Sequence, residues 1–96
     1  MPVDEFKLSL SDSNPPESLN QYLVALWHDG KGAWDSSHDI AQDIEDPNGS
    51  WIHAYLHRKE GDEWNAGYWY RRAERPFFKG SLDEEWEQLV TEFLKK

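Results

Sequence analysis

The sequence predicts an all-α protein of about five helices in one domain. Three observations lead there. Apolar residues recur three and four apart in successive stretches, the spacing that lines one face of a helix. Asn, Gly and Pro fall between those stretches, where helices begin and end. The middle of the chain also repeats itself at an offset of 29 residues.

With 96 residues, one domain is the natural count. Residues 1–13 read as an irregular N-terminal segment, in which Phe6, Leu8 and Leu10 alternate as in a short extended stretch or a tail. The helical domain then covers 14–96. Its first helix is expected near Asn14, with Pro15 at the first helical position and Glu17 three residues after the cap. Leu19, Tyr22, Leu23 and Leu26 form its apolar stripe, and Gly30 and Gly32 stop it near Asp29. A second helix is expected from Ala33 to Glu45, with Ser37, Ile40, Ala41 and Ile44 inward.

Asp46-Pro47-Asn48-Gly49 has the composition of a turn. A third helix follows from about Ser50 to Glu60, carrying Trp51, Ala54, Tyr55 and Arg58 on one face, and Gly61 ends it. The fourth runs from about Asp62 to Ala73 and stops before Pro76. The last, about 81–95, opens on the capping-box pattern Ser81-Leu82-Asp83-Glu84 and carries an apolar stripe through Leu82, Trp86, Leu89, Val90, Phe93 and Leu94.

In the internal repeat, Ala25 falls on Ala54, His28 on His57, Gly32 on Gly61, Glu45 on Glu74 and Pro47 on Pro76, without a gap. A small residue in the first helix, a Gly at the turn and a Pro after the second helix are the marks of stacked helical hairpins. The segment Gly61-Asp62-Glu63-Trp64-Asn65-Ala66-Gly67-Tyr68-Trp69-Tyr70-Arg71-Arg72-Ala73 resembles the second helix of a tetratricopeptide (TPR) or Sel1-like repeat, with Ala54 and Ala66 in the small positions. Ala25 and Ser37 take those places in the first unit. The resemblance covers residues 20–78 and implies two TPR-like helical hairpins, about 20–47 and 49–76, closed by the amphipathic C-terminal capping helix. The offset of 29 is shorter than the ~34 residues usual in that family. The whole chain is similar to a group of short bacterial proteins that share stretches like His53-Ala54-Tyr55-Leu56-His57-Arg58-Lys59-Glu60-Gly61-Asp62.

Composition narrows the function classes. A net charge of −9 disfavours nucleic acid and anionic membranes as partners. No apolar run approaches the ~18 residues of a membrane span. Residues 1–5 lack the basic and apolar regions of a leader, so the expected location is cytoplasmic. Absence of Cys excludes disulfides and thiolate metal sites. No nucleophile elbow, phosphate loop or dinucleotide fingerprint is present, which leans away from an enzyme.

Charge is unevenly placed. Residues 1–46 hold ten acids against Lys7 and Lys31, whereas 58–79 hold six bases against four acids. The main functional expectation is therefore a protein-interaction module without a cofactor, in which Arg58, Arg71 and Arg72 beside Tyr68 or Trp69 engage an acidic partner, or the acidic half of a second copy in a homodimer. Intramolecular pairing of those arginines with acids of the second and fifth helices is the competing reading. Tyr68, Trp69 and Tyr70 are consecutive on a helix, so they cannot all point inward. The alternative is a metal-binding protein or metal-dependent enzyme: His53 and His57 stand one turn apart on one helix face, with His38, Asp35 or His28 available to complete the shell. Two half-buried packing histidines explain the same pair without metal. A third reading is an aromatic pocket for a small apolar ligand.

Overall fold

A computed structural model describes residues 1–96. It contains six α-helices and no strand: α1 (Val3–Leu8), α2 (Gln21–Gly30), α3 (Trp34–Gln42), α4 (Pro47–Lys59), α5 (Glu63–Arg72) and α6 (Leu82–Leu94), with a 3₁₀ turn at Ser9–Ser11. No helix is long and apolar enough to cross a membrane.

The N-terminal segment is helical, contrary to the expectation of an irregular or extended stretch. Phe6 in α1 is fully buried while Leu8 is exposed, so the apparent alternation was misleading. Lys7 Nζ pairs with Glu87 of α6 at 3.1 Å, and the Trp27 indole donates to the Ser9 carbonyl.

The next helix begins at Gln21, not at Asn14. Pro16 holds the preceding Pro15 out of helical backbone, so the cap moves to Asn20. The Asn20 Oδ1 accepts from the Leu23 amide at 3.0 Å, and its Nδ2 donates to the Phe93 carbonyl, tying the start of α2 to the end of α6. Asp46–Gly49, expected as a turn, is instead the N-cap and first turn of α4. Asp46 Oδ1 accepts from the Gly49 amide at 2.9 Å, and Pro47 takes the first helical position, where no N–H is needed. A Cβ at Gly49 would collide with the Ile44 backbone carbonyl, so this entry turn requires glycine. The capping box of α6 is present, with Ser81 and Glu84 satisfying each other's amides.

Gly32 and Gly61 adopt left-handed backbone (φ 82° and 87°), as the residue after a helix C-terminus commonly does. In both, the following amide closes onto the carbonyl five residues back, Ala33 to His28 and Asp62 to His57. Glu74, 29 residues after Glu45, is left-handed at the end of α5 (φ 59°) with the same closure, Arg75 to Tyr70.

α4 is the centre of the molecule. Residues 49–56 are all buried, and the helix packs against α5 most extensively, then against α3, α2 and α6. It also anchors two buried carboxylates. Asp29 of α2, 3% exposed, accepts from the Tyr55 hydroxyl at 2.6 Å and from Lys59 Nζ at 2.9 Å. Glu85 of α6, 0% exposed, accepts from the Tyr70 hydroxyl, from Trp51 Nε1 at 3.1 Å and from Arg58 Nε at 3.0 Å. Each carboxylate is both hydrogen-bonded and charge-paired, the condition under which a buried charge is tolerated.

Candidate metal centre

His53 and His57 lie one turn apart on α4, so the helix itself stacks their rings, with centroids 4.8 Å apart and planes at 20°. α3 crosses this turn and adds His38. Trp34, one turn before His38 on α3, sets the crossing: its Nε1 donates to the Leu56 carbonyl at 2.9 Å, and its ring stacks on His38 at 4.9 Å. From the other side, Trp69 of α5 lies flat on His53, with centroids 3.9 Å apart and planes at 13°. Three imidazoles drawn from two helices are thus held between two indoles.

The ring nitrogens converge. One ligand atom from each of His38, His53 and His57 lies within 4.8 Å of the others, and His38 Nε2 stands 2.9 Å from His53 Nε2. His57 Nδ1 is 2.6 Å from the Glu60 carboxylate. The carboxylate accepts from Nδ1, and outer carboxylates orient metal-binding histidines through such contacts. His53 is 6% exposed, while His38 and His57 are half-buried.

The electrostatics favour neutral rings at His53 and His38. Burial, with the neighbouring His38 and His57 imidazoles adding to it, lowers the His53 pKa to about 3. Burial and then His57 lower that of His38. A neutral imidazole keeps the lone pair that a metal requires. The spacing of the His38–His53 pair is close to that of two ligands on one metal. With metal–nitrogen bonds of ~2.0–2.1 Å in a tetrahedron, ligand nitrogens stand about 3.3 Å apart. His38 and His53 therefore need to open by only about 0.4 Å. Three nitrogen ligands without thiolate suit zinc, copper(II), nickel or cobalt, and do not suit calcium or magnesium.

Other residues singled out by sequence are placed elsewhere. Asp35 is exposed in the first turn of α3 and is not part of the group. His28 lies edge-on against Trp27, away from the cluster, despite its equivalence to His57 in the repeat. His57, Glu60 and Asp62 also converge within 4.8 Å. The Asp62 carboxylate, however, is occupied in capping α5, accepting from the Asn65 amide and side chain.

Of the five expected binding residues, the structure brings three together. Arg72 packs over the rings of Tyr68 and Trp69, and its Nη1 donates to the Tyr68 hydroxyl at 3.2 Å. Arg71 is exposed on the same helix. Arg58 is not available to a partner, because it is paired with Glu85 and also donates to the Gly80 and Ser81 carbonyls. The consecutive aromatics divide as their helical spread requires: Tyr70 is buried, Trp69 half-buried and Tyr68 exposed. For the third reading, the depression between the two hairpins, about 600 Å³ and lined by Gln42, Ile44, Asp46, Trp69 and Arg72, is open and mostly polar. In another, of about 350 Å³, Trp51, Phe77 and Phe78 share the walls with Arg75, Lys79 and Glu85.

Sequence reasoning missed Trp34, Asp29 and Glu85. Trp34 had a signal, since it stands one turn before His38. The carboxylates had one too, because Asp29 and Glu85 fall on the apolar stripes of their helices. Comparisons with protein-family models, curated proteins and solved structures found no match to this chain.

Proposed function

We propose that the protein binds one transition-metal ion, zinc foremost, through His38, His53 and His57. The observation that carries this reading is the convergence of three ring nitrogens within 4.8 Å from two helices. The lowered pKa values of His38 and His53 and the Glu60 hydrogen bond to His57 support it. Three protein ligands leave a fourth position for water or another small ligand, as in zinc sites that do chemistry. The test is titration of metal-free protein, purified without a His tag, with zinc and with cobalt(II). One equivalent bound by the wild type and lost in both His38→Ala and His57→Ala supports the site. Unchanged binding in either variant sinks it.

A second reading is a TPR-like interaction module for an acidic partner. Its support is the 29-residue repeat, the extensive packing of α2 on α3 and α4 on α5 with α6 alongside, and the exposed Arg71, Arg72 and Tyr68 on α5. A protein retained from native lysate by the wild type, and lost by folded Arg71→Glu/Arg72→Glu, is the expected result. Equal retention by both counts against it.

A further inference from the structure

Outside the imidazole cluster, the surface carries two rows whose charges form no ion pair. On α5, Trp64, Tyr68 and Arg72 follow one another at four-residue steps, with Arg71 beside them. Trp64 is 77% exposed and Tyr68 38%. On α3, Asp35, Asp39 and the capping Asp43 follow at the same steps, all exposed. The molecule has four ion pairs, and none includes any of these charges. Like charges four apart destabilise a helix, so the acidic row is unfavourable where it stands.

We infer that the protein self-associates through these rows, α3 of one copy lying on α5 of the other, with the reciprocal contact closing a two-fold pair. Rows at four-residue steps are the ridges that interdigitate in the commonest class of helix packing. Aromatic residues beside arginine have the composition of interface hot spots. The chain carries both halves of the complement, on two helices that both pack against one histidine: His38 of α3 meets His53 edge-on, and Trp69 of α5 lies on its face. A two-fold pair uses both halves at once and leaves no row open. A net charge of −9 on each copy opposes association in general, so the contact has to bring the few exposed bases of one copy onto acids of the other.

Gly67 is the independent observation. It sits inside α5 among Trp64, Tyr68 and Arg71, where glycine weakens a helix. Nothing in the monomer demands it, because an added Cβ would meet only Arg71 Nη1, at an ordinary 3.6 Å. Its missing side chain leaves a notch beside the exposed aromatics, suited to an approaching helix.

The inference narrows the second reading to one partner and does not depend on metal. Sedimentation equilibrium with chelator present tests it on four samples: the wild type, Arg71→Glu/Arg72→Glu, Asp39→Lys/Asp43→Lys, and an equimolar mixture of the two variants. The wild type is expected to dimerise. Each variant alone is expected to associate at least about tenfold more weakly. The mixture should regain the wild-type affinity, because every acid–base contact is restored across the heterodimer. Recovery also shows that both variants are folded. A monomeric wild type, or a mixture no tighter than its components, overturns self-association, whatever the lysate experiment retains. Gly67→Ala should weaken the dimer, and unchanged association would remove the notch from the argument.

Discussion

His38 Nε2 and His53 Nε2 face each other at 2.9 Å across the α3–α4 crossing, close enough that one must carry a proton for the other to accept. A metal ion would replace that single proton and hold both lone pairs, with His57 as third ligand. Binding to the folded state alone stabilises it by about 2.7 kcal/mol when free metal is one hundred times the dissociation constant. The melting temperature should therefore rise with zinc and return with chelator, and the shift should vanish in His38→Ala. An unchanged melting temperature in excess zinc, or the same rise in the variant, would argue that the contact is only a histidine–histidine hydrogen bond.

Glu60 touches the cluster only through His57, at 2.6 Å from Nδ1. It is a positioning residue in this reading. Glu60→Ala should weaken metal binding roughly 10–100-fold with the stoichiometry unchanged, as loss of such outer partners does. Isothermal titration distinguishes this from direct ligation, for which the equivalent would be lost altogether.

Much of this arrangement was legible, and its gaps have physical causes. The i, i+4 spacing of His53 and His57 is a property of one helix, so the sequence shows it directly. His38 joins them through the α3–α4 crossing, at which Trp34 donates to the Leu56 carbonyl, and a crossing angle has no linear signature. Five of the six helices were visible in their stripes and breakers, whereas α1, only six residues long, is too short for periodicity to separate it from an extended segment. Asn14 and Asn20 are equally good caps by type. The Pro15-Pro16 pair and the Phe93 carbonyl decide between them, and the second of these lies 73 residues away. Arg58 follows the competing reading, pairing within the chain with an acid of the last helix, Glu85, because it shares the inner face of α4 with Trp51 and Tyr55.

The Arg58–Glu85 pair yields a stability prediction. Glu85 is fully buried, and the Arg58 side chain is 14% exposed. Removing one partner strands the other charge, which costs about 3–5 kcal/mol. Glu85→Ala should therefore destabilise sharply in urea. The double variant Glu85→Leu/Arg58→Met should recover only part of the loss: the apolar pair removes the stranded charge, but the buried Tyr70 hydroxyl and Trp51 indole still lack their acceptor. Additive losses in the double variant would show that the two side chains act separately.

Gly67 gives an effect of opposite sign. Alanine is favoured over glycine inside a helix by about 1 kcal/mol, and the added methyl meets only an ordinary contact with Arg71. Gly67→Ala should raise the stability of the monomer by up to that amount in chemical denaturation. A loss of stability would mean that α5 needs glycine for its own packing, which would withdraw the notch as evidence for a partner.

Alkaline unfolding should follow from two buried phenols. Burial first, then the Asp29 carboxylate that it donates to, raises the pKa of Tyr55 far above its ordinary value. Burial and the hydrogen bond to Glu85 do the same for Tyr70. In the unfolded chain both lose their protons near pH ~10. Above that pH the folded state binds more protons than the unfolded state, so the stabilisation is complete below pH ~10 and declines as pH rises. The limiting slope is about 1.4 kcal/mol per pH unit for each group, or about 2.7 for both. Tyr22, raised by its hydrogen bond to Asp46, adds in the same direction. Phenolate absorbance from these tyrosines should appear together with the loss of helical circular dichroism. Full ionisation of all four tyrosines near pH ~10 with the helices intact would contradict the buried Tyr–carboxylate pairs.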